Sequence, residues 1–178
     1  MKEFGFGGAR TLTGLHFERK VDFQDLLAAK PGYEVKSVFG KAGKSVFFKG
    51  KLVARCFRKN DFYKFLDEEG VDWRPKISKK LLPDDALLVI VRETLFIIEV
   101  KYQQVAGSVD EKLQTCDFKR KQYQKLVASL ELKVEYVYVL NDWFKSPCYK
   151  DVLDYIHSVN CHYKFGSLPL AWLGLPDE

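Results

Sequence analysis

The chain has few of the residues that build thiolate or imidazole sites. Its four cysteines, Cys56, Cys116, Cys148 and Cys161, include no CxxC pair and lie far apart. Zinc ribbons and disulfide frameworks need closer or more numerous cysteines, so reduced, packed thiols are the expectation. His16, His157 and His162 are dispersed too, which argues against a histidine-based metal site. No apolar run approaches the roughly 20 residues of a membrane span, and the N-terminus carries no apolar signal core. A cytoplasmic location without a membrane partner is therefore expected. Residues 4–14 are rich in glycine, but no GK[ST] closes them and no strand precedes them. That excludes a Walker A loop and a dinucleotide fingerprint. No repeat, low-complexity tract or long linker divides the 178 residues, so residues 1–178 read as one domain.

What is present describes a packed globular chain. Hydrophobic residues make up 47% and charged residues 30%, outside the range of disordered sequences. The net charge of +5 favours a polyanionic partner.

Residues 83–101, PDDALLVIVRETLFIIEVK, organise the rest. Two apolar runs flank a turn-like VRET, the pattern of a β-hairpin with polar residues at one end. Side chains alternate faces along a strand, so Glu99 and Lys101 share a face and Val100 takes the other. A two-residue turn at Arg92 and Glu93 places position 84 opposite 101 and 86 opposite 99. Asp84, Glu99 and Lys101 then share a face, and a four-residue turn keeps that parity. An odd loop substitutes Asp85 for Asp84. Two carboxylates and an ammonium at a sheet end suit a hard divalent cation with oxygen ligands. Such an ion activates water and stabilises phosphoryl oxygens, while the lysine orients the water or offsets developing charge.

Pro83 and Asp84, followed after fourteen intervening residues by Glu99, Val100 and Lys101, resemble the PD-(D/E)XK nuclease motif. That superfamily includes many type II restriction endonucleases, junction resolvases and repair nucleases. The resemblance implies a Mg2+-dependent endonuclease, with Mn2+ able to substitute, that hydrolyses double-stranded DNA. It implies Asp84 and Glu99 as metal ligands and Lys101 as the third catalytic residue. A compact member without appended domains is similar to a type II restriction enzyme working as a homodimer. A resolvase or repair nuclease is the alternative enzyme, and a non-catalytic nucleic-acid-binding module is the alternative of another class.

The flanking segments fit an α/β fold of this kind: a mixed central β-sheet flanked by helices, with an N-terminal β-meander. Residues 13–29 carry Leu15, Val21, Phe23, Leu26 and Leu27 at helical spacing before Pro31 and Gly32. Glu18 in that helix resembles the acidic residue that related nucleases send toward the metal; it is equally a first-turn glutamate favoured by the helix dipole. Arg10 in the glycine-rich entry is a phosphate contact or a solvated side chain. Residues 33–58 alternate around turns at Gly40, Gly43 and Gly50, giving two or three antiparallel strands. Their lysines, Lys41 and Lys44 foremost, suit a DNA backbone or protect a sheet edge. Asn60 or Asp61 caps a helix that ends at Gly70.

Lys79 and Lys80 precede the hairpin, where cations would help hold a phosphate. After it, Ser108 and Glu111 form a capping box for one long helix to about Leu130. Gln103, Glu111 and Gln114 are accessory candidates or ordinary helix-surface residues. Lys112 and Lys119 add DNA-binding charge. Residues 134–140, VEYVYVL, read as a buried strand parallel to the Glu99 strand, through a right-handed crossover. A short helix over residues 149–157, an edge strand at 161–165 and an apolar C-terminal segment complete the pattern.

Overall fold

A computed structural model of the chain describes residues 14–16, 22–104 and 109–177. β1 (Gly14–His16) and α1 (Phe23–Ala28) open it. A meander follows, of β2 (Tyr33–Lys36), β3 (Lys44–Phe48) and β4 (Lys51–Phe57). α2 (Asn60–Glu68) leads to the central hairpin, β5 (Asp85–Val89) and β6 (Thr94–Lys101). Two helices, α3 (Val109–Leu113) and α4 (Cys116–Val127), precede β7 (Lys133–Leu140). α5 (Lys150–Ser158), β8 (His162–Phe165), β9 (Ser167–Pro169) and α6 (Leu170–Leu173) close the chain.

Strands β2 to β8 form a mixed seven-stranded sheet in sequence order, and β1 pairs separately with β9. Neighbours from β2 to β6 run antiparallel, while β6, β7 and β8 run parallel. The change of direction follows from the connections. Parallel neighbours need a crossover, and the chain supplies α3 and α4 before β7, then α5 before β8. Strand β7 is buried on both faces, as its continuous apolar run requires.

Two apolar clusters cover the two faces. One joins Phe57, Ala86, Leu95, Ile97, Tyr136 and Tyr138 of the sheet to α2, α4 and α5. The other joins Leu87, Val89, Phe96, Ile98, Val137 and Val139 to α1, β1 and the C-terminal residues Leu168, Leu170, Leu173 and Leu175. The apolar C-terminal segment therefore covers the chain's own core.

The hairpin loop contains four residues, 90–93, with Glu93 in the left-handed region at φ 49°. Asp85 pairs with Ile98 and Val89 with Thr94. That register, continued by one residue, places Asp84 opposite Glu99, not opposite Lys101 as a two-residue turn requires. Parity is unchanged: Asp84 shares its face with Ala86, Ile97 and Glu99, and Asp85 takes the opposite face with Leu87 and Ile98.

Three local expectations fail for physical reasons. Residues 14–16 form a strand instead of opening a helix, because Leu15 pairs with Leu168 and is fully buried; a tertiary pairing outweighs a weak local helical pattern. α1 starts later, where the Asp22 carboxylate accepts the Gln24 amide at 2.8 Å. The long helix after the hairpin is two helices. At the break, the Thr115 hydroxyl donates to the Lys112 carbonyl at 2.7 Å, a local bond that competes with continued helix. α2 is entered from Lys59, with no side-chain cap, in place of Asn60 or Asp61. Its entry is set instead by the Lys59 amide, which donates to the Pro83 carbonyl at 3.0 Å. Glu18, Arg10 and Ser108 lie outside the described residues.

Candidate active site

The hairpin strands end beneath α4. Strand alternation carries Glu99 and Lys101 onto the α4 face, and the parallel register sets Glu99 beside Tyr138 of β7. Glu99 is largely buried and has three cationic or phenolic partners. Lys101 forms an ion pair with it. The Lys119 ammonium reaches both carboxylate oxygens, at 3.0 and 2.9 Å. The Tyr136 hydroxyl donates to Oε2. Burial alone would raise the Glu99 carboxyl. The Lys101 and Lys119 charges and the phenol outweigh it, so the group sits below the ordinary carboxylate range.

Asp84 stands at the exposed mouth of the same face. Desolvation, then the negative charge of Glu99, raises its carboxyl above the ordinary value. Lys101, Lys119 and Lys59 pull in the other direction without cancelling the rise. Glu99 is thus neutralised by its partners, whereas Asp84 feels the negative charge of Glu99 incompletely offset by lysine. A divalent cation would relieve that repulsion, and oxygen donors open to water on one side would suit Mg2+. Among the described residues, no group of three or more His, Cys, Asp or Glu gathers as a metal site. Asp84 and Glu99 are a pair, and water or phosphate oxygens would complete the shell.

Asp85 is 8% exposed on the opposite face, at 3.7 Å from Arg58. Burial pushes its carboxyl up to about 7, with Asp22 and Asp84 adding to the rise and Arg58 opposing it. Its Oδ1 has no hydrogen-bond partner among the described residues. It does not join the Glu99 cluster.

The other candidates are scattered. The Gln103 backbone is clamped by Asn141, whose side chain accepts the Gln103 amide at 3.1 Å and donates to its carbonyl at 2.8 Å. Glu111 and Lys112 are exposed on α3, where the Lys112 carbonyl accepts the Tyr138 hydroxyl. Gln114 faces a separate cavity of about 420 Å³ beside Asp151 and Tyr155. Lys41 pairs with Glu68 at 2.8 Å. Lys44 lines a groove at the end of β4. Lys79 is exposed, and the Lys80 ammonium lies 4.6 Å from the Tyr63 ring and 5.2 Å from the Trp73 ring. Only Lys119 of these basic residues touches the Glu99 cluster.

Tyr136 and Lys59 escaped the reading of the sequence. A signal for the first exists: Tyr136 and Tyr138 alternate in a buried strand, so two phenols fall on one face and need polar partners. Lys59 had none beyond its place in an Arg-Lys-Asn step between strand and helix.

Comparison with models of protein families, with characterised proteins and with solved structures finds no match to this chain. The assembly of Asp84, Glu99, Lys101, Lys119 and Tyr136 on one end of a mixed α/β sheet is the feature from which its chemistry has to be read.

Proposed function

We propose that the chain is a Mg2+-dependent endodeoxyribonuclease with a restriction-endonuclease-like fold, acting on double-stranded DNA as a sequence-specific homodimer. The observation that carries this reading is the convergence of Asp84, Glu99 and Lys101 on one face, beneath a basic helix. Asp84 and Glu99 would hold the cation. When bound, it supplies charge neutralisation at the phosphoryl oxygens and an activated water. Lys101, on the Glu99 carboxylate, is placed to orient the attacking water and to offset charge developing on the phosphate. Lys119 shares Glu99 with Lys101, so a cation competes with both ammoniums for the same oxygens. Released from Glu99, Lys119 can face the scissile phosphate. Tyr136 keeps the carboxylate oriented from the buried side.

A second reading is a nucleic-acid-binding module in which the same cluster is a structural ion network. It is favoured by the satisfaction of Glu99 by two ammoniums and a phenol. Plasmid cleavage separates the two. With Mg2+ the parent protein is expected to cut, and EDTA to stop it. Asp84→Ala and Lys101→Ala are expected to lower the rate at least about 100-fold while their melting temperatures stay near the parent's. An uncut plasmid that is nonetheless bound would exclude the nuclease. Discrete fragments support a restriction enzyme, and preference for four-way junctions supports a resolvase. The mass in solution tests the homodimer.

A further inference from the structure

A second feature lies beside the site, on the far side of Asp84. A groove of about 670 Å³ opens where β4 ends and α2 begins, walled by the turn between β2 and β3. Gly43 permits this approach: it adopts φ +68°, and a Cβ there would lie 2.2 Å from the Cys56 carbonyl oxygen.

The groove is electropositive. Five basic side chains line it against two acidic ones. Three of the five are committed: Arg58 pairs with Asp22, Lys64 with Asp61 at 2.8 Å, and Lys41 with Glu68 at 2.8 Å. Lys44 and Lys59 line the groove and make no ion pair with any described residue.

Lys59 links the groove to the site. Its positive charge acts on Asp84, and its amide is tied to the carbonyl of Pro83, next to Asp84. Its backbone adopts φ 45°, ψ −113°, a conformation that suits glycine and strains lysine. Strain held at one residue between a strand and a helix is characteristic of functional sites. α2 also starts here without a side-chain cap, adding the positive end of its dipole.

We propose that this groove binds the sugar-phosphate backbone of double-stranded DNA next to the bond that is cut, with Lys44 and Lys59 as its phosphate contacts. The inference rests on the nuclease reading for the position of the scissile bond. Phosphates match the groove's charge, and Lys59 contacts the strand where it leaves Asp84. Contacts of this kind set register and orientation and carry no sequence information.

Binding of a fluorescent duplex oligonucleotide in EDTA, across a salt series, tests the proposal. The double variant Lys44→Ala/Lys59→Ala is expected to lose at least tenfold in affinity at low salt. The slope of log K against log salt is expected to shrink by about 1.8, since each phosphate contact contributes about 0.9. Lys51→Ala/Lys133→Ala removes the same charge from exposed positions at the other end of the sheet and is expected to bind like the parent. Should alanine at position 59 prevent folding, Lys44→Ala/Lys59→Gly removes the same charges and relaxes the backbone. Equal losses in both pairs, an unchanged slope in the groove variant, or a parent that binds no duplex would overturn the proposal. The two readings fail separately. A parent that binds through Lys44 and Lys59 but never cuts removes the nuclease and leaves the groove. A parent that cuts, with a groove variant that binds normally, removes the groove alone.

Discussion

At the scale of single residues, adjacent aspartates differ because the pleat sends them to opposite faces. Asp84 meets Glu99 and lysines, whereas Asp85 is buried against apolar side chains, with Arg58 too distant for a hydrogen bond. Asp85 titrates near 7 in the folded chain, against an ordinary value of 3.8. Between those values the folded state binds more protons than the unfolded state. The stability that Asp85 contributes is therefore fullest below about pH 4 and falls as pH rises toward 7. Asp85→Asn is uncharged throughout, so it is expected to flatten this fall. Relative to the parent it gains up to about 4 kcal/mol at pH 8, measured by urea unfolding at pH 5 and 8. At Glu99, Tyr136→Phe deletes one charge-assisted hydrogen bond from a buried carboxylate. A loss of about 1–3 kcal/mol is expected, with the Glu99 titration moving upward by NMR. Alternation alone separates Asp84 from Asp85 once the loop is even. The tyrosine's contact depends on a strand paired from almost forty residues away, which periodicity does not reveal.

At the scale of elements, one carboxylate fastens the meander to α2. Glu68, near the C-terminal end of α2, accepts from Arg55 of β4 at 2.9 Å, from the Ala42 amide at 2.9 Å and from Lys41. Burial raises its carboxyl, but these donors more than compensate and bring it down to about 2. This stability is present above the ordinary value of 4.5 and is lost as pH falls toward 2. Glu68→Ala leaves Arg55, itself 8% exposed, without its closest anion. A cost of about 2–4 kcal/mol is expected in chemical denaturation. Asp67, Glu68 and Glu69 form an acidic run at the end of this helix. Its role as an anchor depends on Arg55, thirteen positions away in the chain. Lys41 likewise belongs to this anchor.

For the whole molecule, the sheet needs cover on both faces. Helices α2, α4 and α5 cover the site's face. α1, α6 and the β1–β9 ribbon cover the other. Leu173, fully buried in that second layer, tests how firmly the end of the chain is attached. Leu173→Ala is expected to cost about 2–4 kcal/mol and to lower the melting temperature. On the proposed nuclease function, plasmid cleavage below that temperature is expected to match the parent's, because the lost packing lies across the sheet from Glu99. Cleavage that fails while the fold persists would place the second layer in the chemistry. Among the described residues no helix is long and apolar enough to cross a membrane.

Local pattern in the sequence determined the meander, the central hairpin, the parallel β7 and the shared face of Asp84, Glu99 and Lys101. The meander, the hairpin and the shared face follow from period-two alternation and turn residues, which act over a few positions, and β7 from a continuous apolar run after a helical crossover. Tertiary structure alone decided that residues 14–16 pair with the C-terminus and that Tyr136 and Lys119 seize Glu99. It also decided that Lys59 joins Asp84 to a basic groove. Those outcomes depend on contacts between distant segments, whose burial and charge energies outweigh local propensity and leave no periodic trace in the chain.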